Sequence, residues 1–225
     1  MQATSQIEKR CRGRPQVRSD DETKDLILDA ANEQFMKAGY ASASISIIAQ
    51  TAGVSTKTLY RLFPAKADLF SDVISKKIND YILASDAEQL ADLPLRESLE
   101  KLLISYGRLT LSGDTITMTR LVLGESDRFP EIAAVFYKQA IRKSSSAIET
   151  WLRARVAAHE IEAPDVSLMT GMLRGMMTME PQRAVMLSQA AHMTDAEIVA
   201  RAQACARLFL DGSRKHSTGT SQHLA

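Results

Sequence analysis

Between Ser44 and Phe63 the chain gathers side chains suited to gripping a polyanion. Ser55 offers a cap for a short helix running to about Leu62, in which Leu59, followed by Phe63, takes the inward positions. Thr56, Lys57, Tyr60 and Arg61 are left on the free face, all of them long or hydrogen-bonding. Lys57 could reach a guanine edge, and Thr56 or Thr58 a thymine methyl or a phosphate. Ser44 stands at the start of the preceding helix, where unpaired backbone N–H groups can meet an anion, and Lys66 opens the following helix within reach of a phosphate backbone. Residues 34–67 contain Lys37, Lys57, Arg61 and Lys66 and no acid. A merely solvated face normally mixes its signs, so this window points to nucleic acid.

The elements that must position these groups are legible around them. A helix from about Asp21 to Ala38, capped by Ser19 or Asp20, buries Ile27, Ala31 and Phe35 at intervals of four. Lys37 and then Gly39 mark its end. Ser44 to Thr51 forms a short helix with Ile45, Ile48, Ala49 and Ala52 on one face. Gly53 supplies a turn where positive φ is cheap, and Pro64 stops the third helix. Two short helices joined in this way cross at about 90–120°, which lets the second lie in a major groove about 12 Å wide. Ala49 is small because the pair approaches closely there. Such helix pairs are also common in plain helical proteins; the one-signed charge decides between the two readings.

Charge is uneven along the 225 residues although the formal net charge is only +1. Residues 1–18 carry Lys9, Arg10, Arg12, Arg14 and Arg18 against Glu8, while from 67 onward there are 18 bases and 20 acids. A basic front on a slightly acidic body is the asymmetry of a chain whose one end meets phosphate. Residues 1–19 read as a polar arm. Arg12 and Arg14 in CRGRP suit a narrow minor groove, or a tail that only steers encounter. The two cysteines, Cys11 and Cys205, form neither a disulfide framework nor a metal spacing, which points to a reducing cytoplasm. No apolar run approaches the roughly 20 residues needed to span a membrane, and no cofactor motif is present.

Beyond Lys66 the pattern is helical throughout, with helices expected through about Ala84 and near 95–111, 115–126, 130–158, 165–187 and 194–211. Thr194 and Glu197 make a capping box, and Gly212 closes the last helix. The fold class is all-α, with about nine helices. The expected division is a basic arm at 1–19, a three-helix helix-turn-helix domain at 20–66, a larger helical domain at 67–212 and a tail at 213–225.

Other function classes find little support. There is no G-x-S-x-G, H-E-x-x-H or Gly-rich phosphate loop, and His159, His192, His216 and His223 are scattered. An interaction protein that had abandoned DNA would leave Lys57 and Arg61 without a partner.

Residues 24–70, through ILDAANEQFMKAGY and SISIIAQTAGVSTKTLYRLFPAKADLF, closely resemble the DNA-binding domain of TetR-family bacterial regulators. The resemblance implies that Ser44 caps the second helix and touches phosphate. It places Thr56, Lys57 and Thr58 in the recognition helix, with Tyr60 and Lys66 on the backbone. The chain departs at Lys57, where many members carry Gly, which implies a different operator preference. RLVLGESDRFPEIAAVFYKQA resembles the C-terminal domain of AefR-like regulators over about residues 95–212. That implies a homodimeric repressor of operator DNA, released by a small-molecule effector.

In that second domain the resemblance puts the dimer contact on the last two long helices. Ile198, Ala202, Cys205 and Phe209 form an apolar stripe there, with Met169 and Gly175 as further interface candidates. Tyr106, Met118, Leu121, Phe136, Met172 and Met176 are the pocket candidates. Their apolar character suggests an apolar effector; methionines also serve simply as core filler. Arg120 and Glu125 could polarise the pocket or pair with each other.

Overall fold

The computed structural model describes residues 18–84, 90 and 92–213, and every regular element among them is helical. The expected arm residues Arg12 and Arg14, and the tail beyond 213, lie outside these residues. Helix α1 (Asp20–Ser42) begins with a closed capping box. Ser19 Oγ accepts the Glu22 N–H at 3.1 Å, and the Glu22 carboxylate accepts the Ser19 N–H at 2.9 Å. Asp20, Asp21 and Glu22 meet the positive end of the helix dipole. At Gly39 the backbone leaves the helix with φ of 80°, a conformation that costs glycine little.

Helices α2 (Ile45–Thr51) and α3 (Thr56–Leu62) follow, then the long α4 (Lys66–Ala84). Their core joins Ile27, Ala31 and Phe35 of α1 to Ile48 and Ala49 of α2, Leu59 of α3, Phe63, and Leu69 and Phe70 of α4. Ala49 is 1% exposed and Leu59 is wholly buried, so both are fixed by packing. Phe35, Tyr40, Phe70 and Phe129 form a ring cluster with centroid spacings of 5.3–5.8 Å. The same core takes in Met118, Val122 and Ile132 from later helices. Apolar packing is therefore continuous across the expected boundary at residue 66.

The body contains α5 (Leu95–Thr110), α6 (Gly113–Glu125) and α7 (Pro130–Phe136). A π-helical turn (Tyr137–Arg142) carries α7 into α8 (Lys143–Ala157). Last come α9 (Val166–Met186) and α10 (Asp195–Ser213). With α7, the π turn and α8 taken as one run, the described residues form nine helical rods. The widened turn has a local cause of support: the Ile141 carbonyl accepts the hydroxyls of Ser145 at 2.6 Å and Ser144 at 3.3 Å. π turns often lie at functional sites, and this one borders the cavity described below.

A second core fills the far end of the body. It packs Leu99, Leu102 and Tyr106 of α5, Trp151 and Leu152 of α8, and Leu173 and Met177 of α9. Ile198, Ala202, Cys205 and Phe209 of α10 belong to it, between 0% and 8% exposed. This corrects the sequence expectation that they form a dimer interface. The stripe is real, but it faces α5 of its own chain. Pro181 interrupts α9 and cannot donate to the carbonyl four residues back, Met177. Arg201 of α10 takes that role, its Nε donating to Met177 O at 2.9 Å and Met176 O at 3.1 Å.

Candidate nucleic-acid interface and effector cavity

Helix α3 is anchored by Leu59 and presents the opposite side to solvent. Thr56, Lys57 and Tyr60 are exposed, Tyr60 at 51%. Ser55 Oγ caps the helix by accepting the Thr58 N–H at 3.0 Å, and the Ser55 and Thr58 hydroxyls lie 2.9 Å apart. Thr58 is thus half-buried and tied to the cap, while Thr56 and Lys57 are free to reach outward. Gly53, at φ of 67°, makes the tight turn before α3, and the Arg18 guanidinium stands beside it. Ser44 Oγ accepts the Ile47 N–H at 3.5 Å, a long cap for α2.

Two of the expected DNA-binding residues, Arg61 and Lys66, are engaged within the chain. Arg61 forms a two-pronged pair with Asp20 at 2.8 and 2.9 Å, so even a chain that had given up DNA would not leave it without a partner. Lys66 Nζ donates to Ala41 O at 3.2 Å and lies 4.9 Å from the Tyr40 ring centre. Burial pushes its pKa down, opposed by the charge of Glu125.

Sequence reasoning missed the group that organises this junction. Glu125, the last residue of α6, accepts the Tyr40 N–H at 2.9 Å and the Ala41 N–H at 2.8 Å. It neither pairs with Arg120 nor faces the cavity; Arg120 donates instead to Val185 O at 3.1 Å. The helix end at Gly39 was legible, but no local pattern points to an acceptor 85 residues away for the N–H groups that follow it. Tyr40 is pushed up to about 12 by burial first, then by the Glu131 carboxylate at its hydroxyl and the charges of Asp68 and Glu125.

A cavity of about 290 Å³ opens between α4, α5, α6, the π turn and α9. Of the pocket candidates, Tyr106 and Phe136 line it. Met118 lines a crevice of about 30 Å³ that shares Ile78, Leu109, Thr115, Phe136 and Ala140 with it. Leu121, Met172 and Met176 line neither; Met172 is 56% exposed on the outer side of α9. The lining is also less apolar than the sequence suggested, since Thr110, Thr115, Thr119, Thr178, Gln182 and Arg174 contribute.

The outer side of α9 carries Leu168 and Met172 at 55% and 56% exposure, Leu208 of α10 is 64% exposed, and Met179, also exposed, lines the cavity. A side chain added at Gly171 or Gly175 would meet nothing within 4 Å. Of the expected interface residues, Met169 packs partly against the second core and Gly175 borders the cavity. Among the described residues no group of His, Cys, Asp and Glu is arranged to hold a metal, and no helix is long and apolar enough to cross a membrane.

Comparison with known proteins accounts for this arrangement. Residues 27–73 match the family described as bacterial regulatory proteins, tetR family. Residues 97–212 match the AefR-like transcriptional repressor C-terminal domain. The uncharacterized HTH-type transcriptional regulator YhgD of Bacillus subtilis is 23% identical over 133 residues, 59% of this chain and 66% of that protein. Matches to the curated relatives span between 28% and 66% of those relatives' lengths. A crystal structure from Mesorhizobium loti, described as a TetR-family regulator, superposes with a TM-score of 0.76 at 22% identity, covering 87% of this chain and 98% of that one. FadR from Bacillus subtilis, solved in complex with stearoyl-CoA, superposes with a TM-score of 0.65 at 22% identity, covering 84% and 99%.

Proposed function

The chain belongs to the TetR family of bacterial transcriptional regulators, and we propose that it is a homodimeric repressor released from its operator by a small molecule. As a family member it binds DNA and regulates transcription; it is not an enzyme. The finer reading is carried by one observation: α3 is pinned by buried Leu59 and turns Thr56, Lys57 and Tyr60 to solvent. A helix held rigidly with its polar side free is the form a major-groove reader takes.

In this reading residues 20–66 supply the grip and 67–212 the sensor, with 1–19 and 213–225 as arm and tail. Thr56 and Lys57 meet base edges. Tyr60, Ser44 and the helix start at α2 meet phosphate, Arg12 and Arg14 extend the contact from the arm, and the protein works in the cytoplasm. Thr58, Arg61 and Lys66 support the grip from inside, through the cap, the Asp20 pair and the Ala41 carbonyl. Two copies pair through the outer side of α9 and α10, where Leu168, Met172 and Leu208 are exposed. FadR, of the same fold, holds stearoyl-CoA, which supports reading the cavity as the effector site. The effector then acts through α6, which borders the cavity at Thr115 and Thr119 and grips α1 at Glu125. It shifts the equilibrium only by its difference in affinity for the two arrangements.

Selection from random duplexes by the purified full chain tests this. A two-fold symmetric site bound by two copies, with affinity falling steeply with salt, is the expected result. An asymmetric site bound by one copy contradicts the dimer, and enrichment of no sequence contradicts the operator.

A further inference from the structure

We propose that the effector is an amphipathic acid whose anionic head pairs with Arg174 and whose apolar body lies under Phe136 toward Met118. The inference rests on the reading of this cavity as the effector site. Arg174 lines the cavity and is half-buried. Its Nε donates to Tyr106 Oη at 3.0 Å, and the guanidinium lies 5.8 Å from the Tyr106 ring centre. Both contacts are to one residue, and it is not a carboxylate. Among the described residues no carboxylate lies within ion-pair distance of Arg174, and its terminal nitrogens have no hydrogen-bond partner.

Among the described residues Arg120 likewise meets only a neutral group, the Val185 carbonyl, but three other arginines that brace the body carry a counter-charge. Arg108 pairs with Asp195 at 2.7 Å, Arg155 with Glu160 at 3.0 Å and Arg201 with Glu180 at 3.4 Å. A partly desolvated guanidinium without a counter-charge is costly, and its planar fork matches a carboxylate or phosphate in two-pronged geometry. Tyr106 fixes the plane by occupying Nε, which leaves the fork for a ligand.

The remainder of the cavity is graded. Arg174, Thr178 and Gln182 stand at successive turns of one face of α9 and make that side polar. Opposite them Ile78, Leu109, Phe136 and Ala140 make an apolar side, which runs on into the crevice under Val73, Ile74 and Met118. Val73, Ile74 and Met118 also belong to the core that holds the first three helices. An apolar tail in the crevice therefore pushes on the packing that positions α3. The combined space is at the small end of ligand sites, which run about 300–1,000 Å³, so a compact acid fits better than a large conjugate.

The test is calorimetric titration and thermal shift of the full chain with straight-chain and arylalkyl carboxylates, each beside its alcohol and its amine. Wild type, Arg174→Gln, Arg174→Lys and a cavity-filling Thr119→Phe variant are compared, with operator release read in parallel. The expected result is that acids bind wild type at least about tenfold more tightly than their alcohols. Arg174→Gln removes that preference without lowering the melting temperature, Arg174→Lys keeps part of it, and Thr119→Phe blocks acids and alcohols alike. Equal binding of acids and alcohols overturns the proposal. So does acid binding that survives Arg174→Gln or Thr119→Phe, or the absence of any binder in the series. Alcohols that release the operator as well as acids do would overturn it while leaving the effector site standing. Acids that bind through Arg174 without releasing the operator would uphold the anion site and contradict the effector reading.

Discussion

The Glu125 carboxylate spans the junction between the sensor body and α1, accepting the Tyr40 and Ala41 N–H groups at 2.9 and 2.8 Å. The same carboxylate explains why residue 39 is glycine. A Cβ there would stand 2.6 Å from Glu125 Oε1, on a backbone already at φ of 80°. Gly39→Ala is expected to destabilise by about 1–3 kcal/mol in urea unfolding. Glu125→Ala is expected to cost about 1–3 kcal/mol by orphaning two donors. Because one contact underlies both, the double variant is expected to lose less than the sum. Strict additivity would show that the two residues do not share it.

Tyr40 gives the junction an alkaline limit. Its pKa is raised from 10.0 to about 12 in the fold, so the folded state holds the phenol proton more tightly than the unfolded chain. The resulting stabilisation is complete below pH 10 and is lost as pH rises toward 12. Tyr40→Phe is expected to remove this part of the pH dependence, read by urea midpoints across that window alongside tyrosinate absorbance. A dependence unchanged by the substitution would place the titration elsewhere.

Arg201 satisfies a carbonyl that Pro181 leaves without a donor. Arg201→Ala is expected to cost about 1–3 kcal/mol. Pro181→Ala restores the missing N–H, and in that background the cost of Arg201→Ala is expected to shrink. Chemical denaturation of the four proteins decides this.

Arg61 and Asp20 hold each other at the edge of the reading helix. The pair is about half exposed, 54% and 45%, so it contributes little stability. Asp20→Asn is expected to leave the melting temperature nearly unchanged while strengthening non-specific DNA binding at low salt. Freed Arg61 then adds about one ion to the salt slope. A slope identical to wild type would mean that Arg61 does not reach phosphate.

Local physics made much of this legible in sequence. The four-residue spacing of Ile27, Ala31 and Phe35, the Ser19–Glu22 and Thr194–Glu197 boxes and the turns at Gly39 and Gly53 each depend on neighbours within a few residues. The exposed face of α3 followed from Leu59 and Phe63 taking the inward positions. Long-range partners left no such trace. The apolar stripe of α10 was visible, but periodicity cannot say whether Cys205 faces α5 or a second copy. Methionine content drew attention to Met172 and Met176, whereas the cavity is built at Arg174 and the threonines of α6, residue types that are usually exposed.

The most direct test of the central claim is a binding titration of the purified chain on DNA upstream of its own gene, with Lys57→Ala and Tyr60→Ala variants beside it. Both positions are exposed, so each variant is expected to keep wild-type stability within about 0.5 kcal/mol. Leu59→Ala, by contrast, should lose about 2–5 kcal/mol. Wild type is expected to form a salt-sensitive complex that weakens about tenfold or more in Lys57→Ala and weakens further when Tyr60→Ala is added. Full operator affinity in the folded double variant would contradict the assignment of readout to α3.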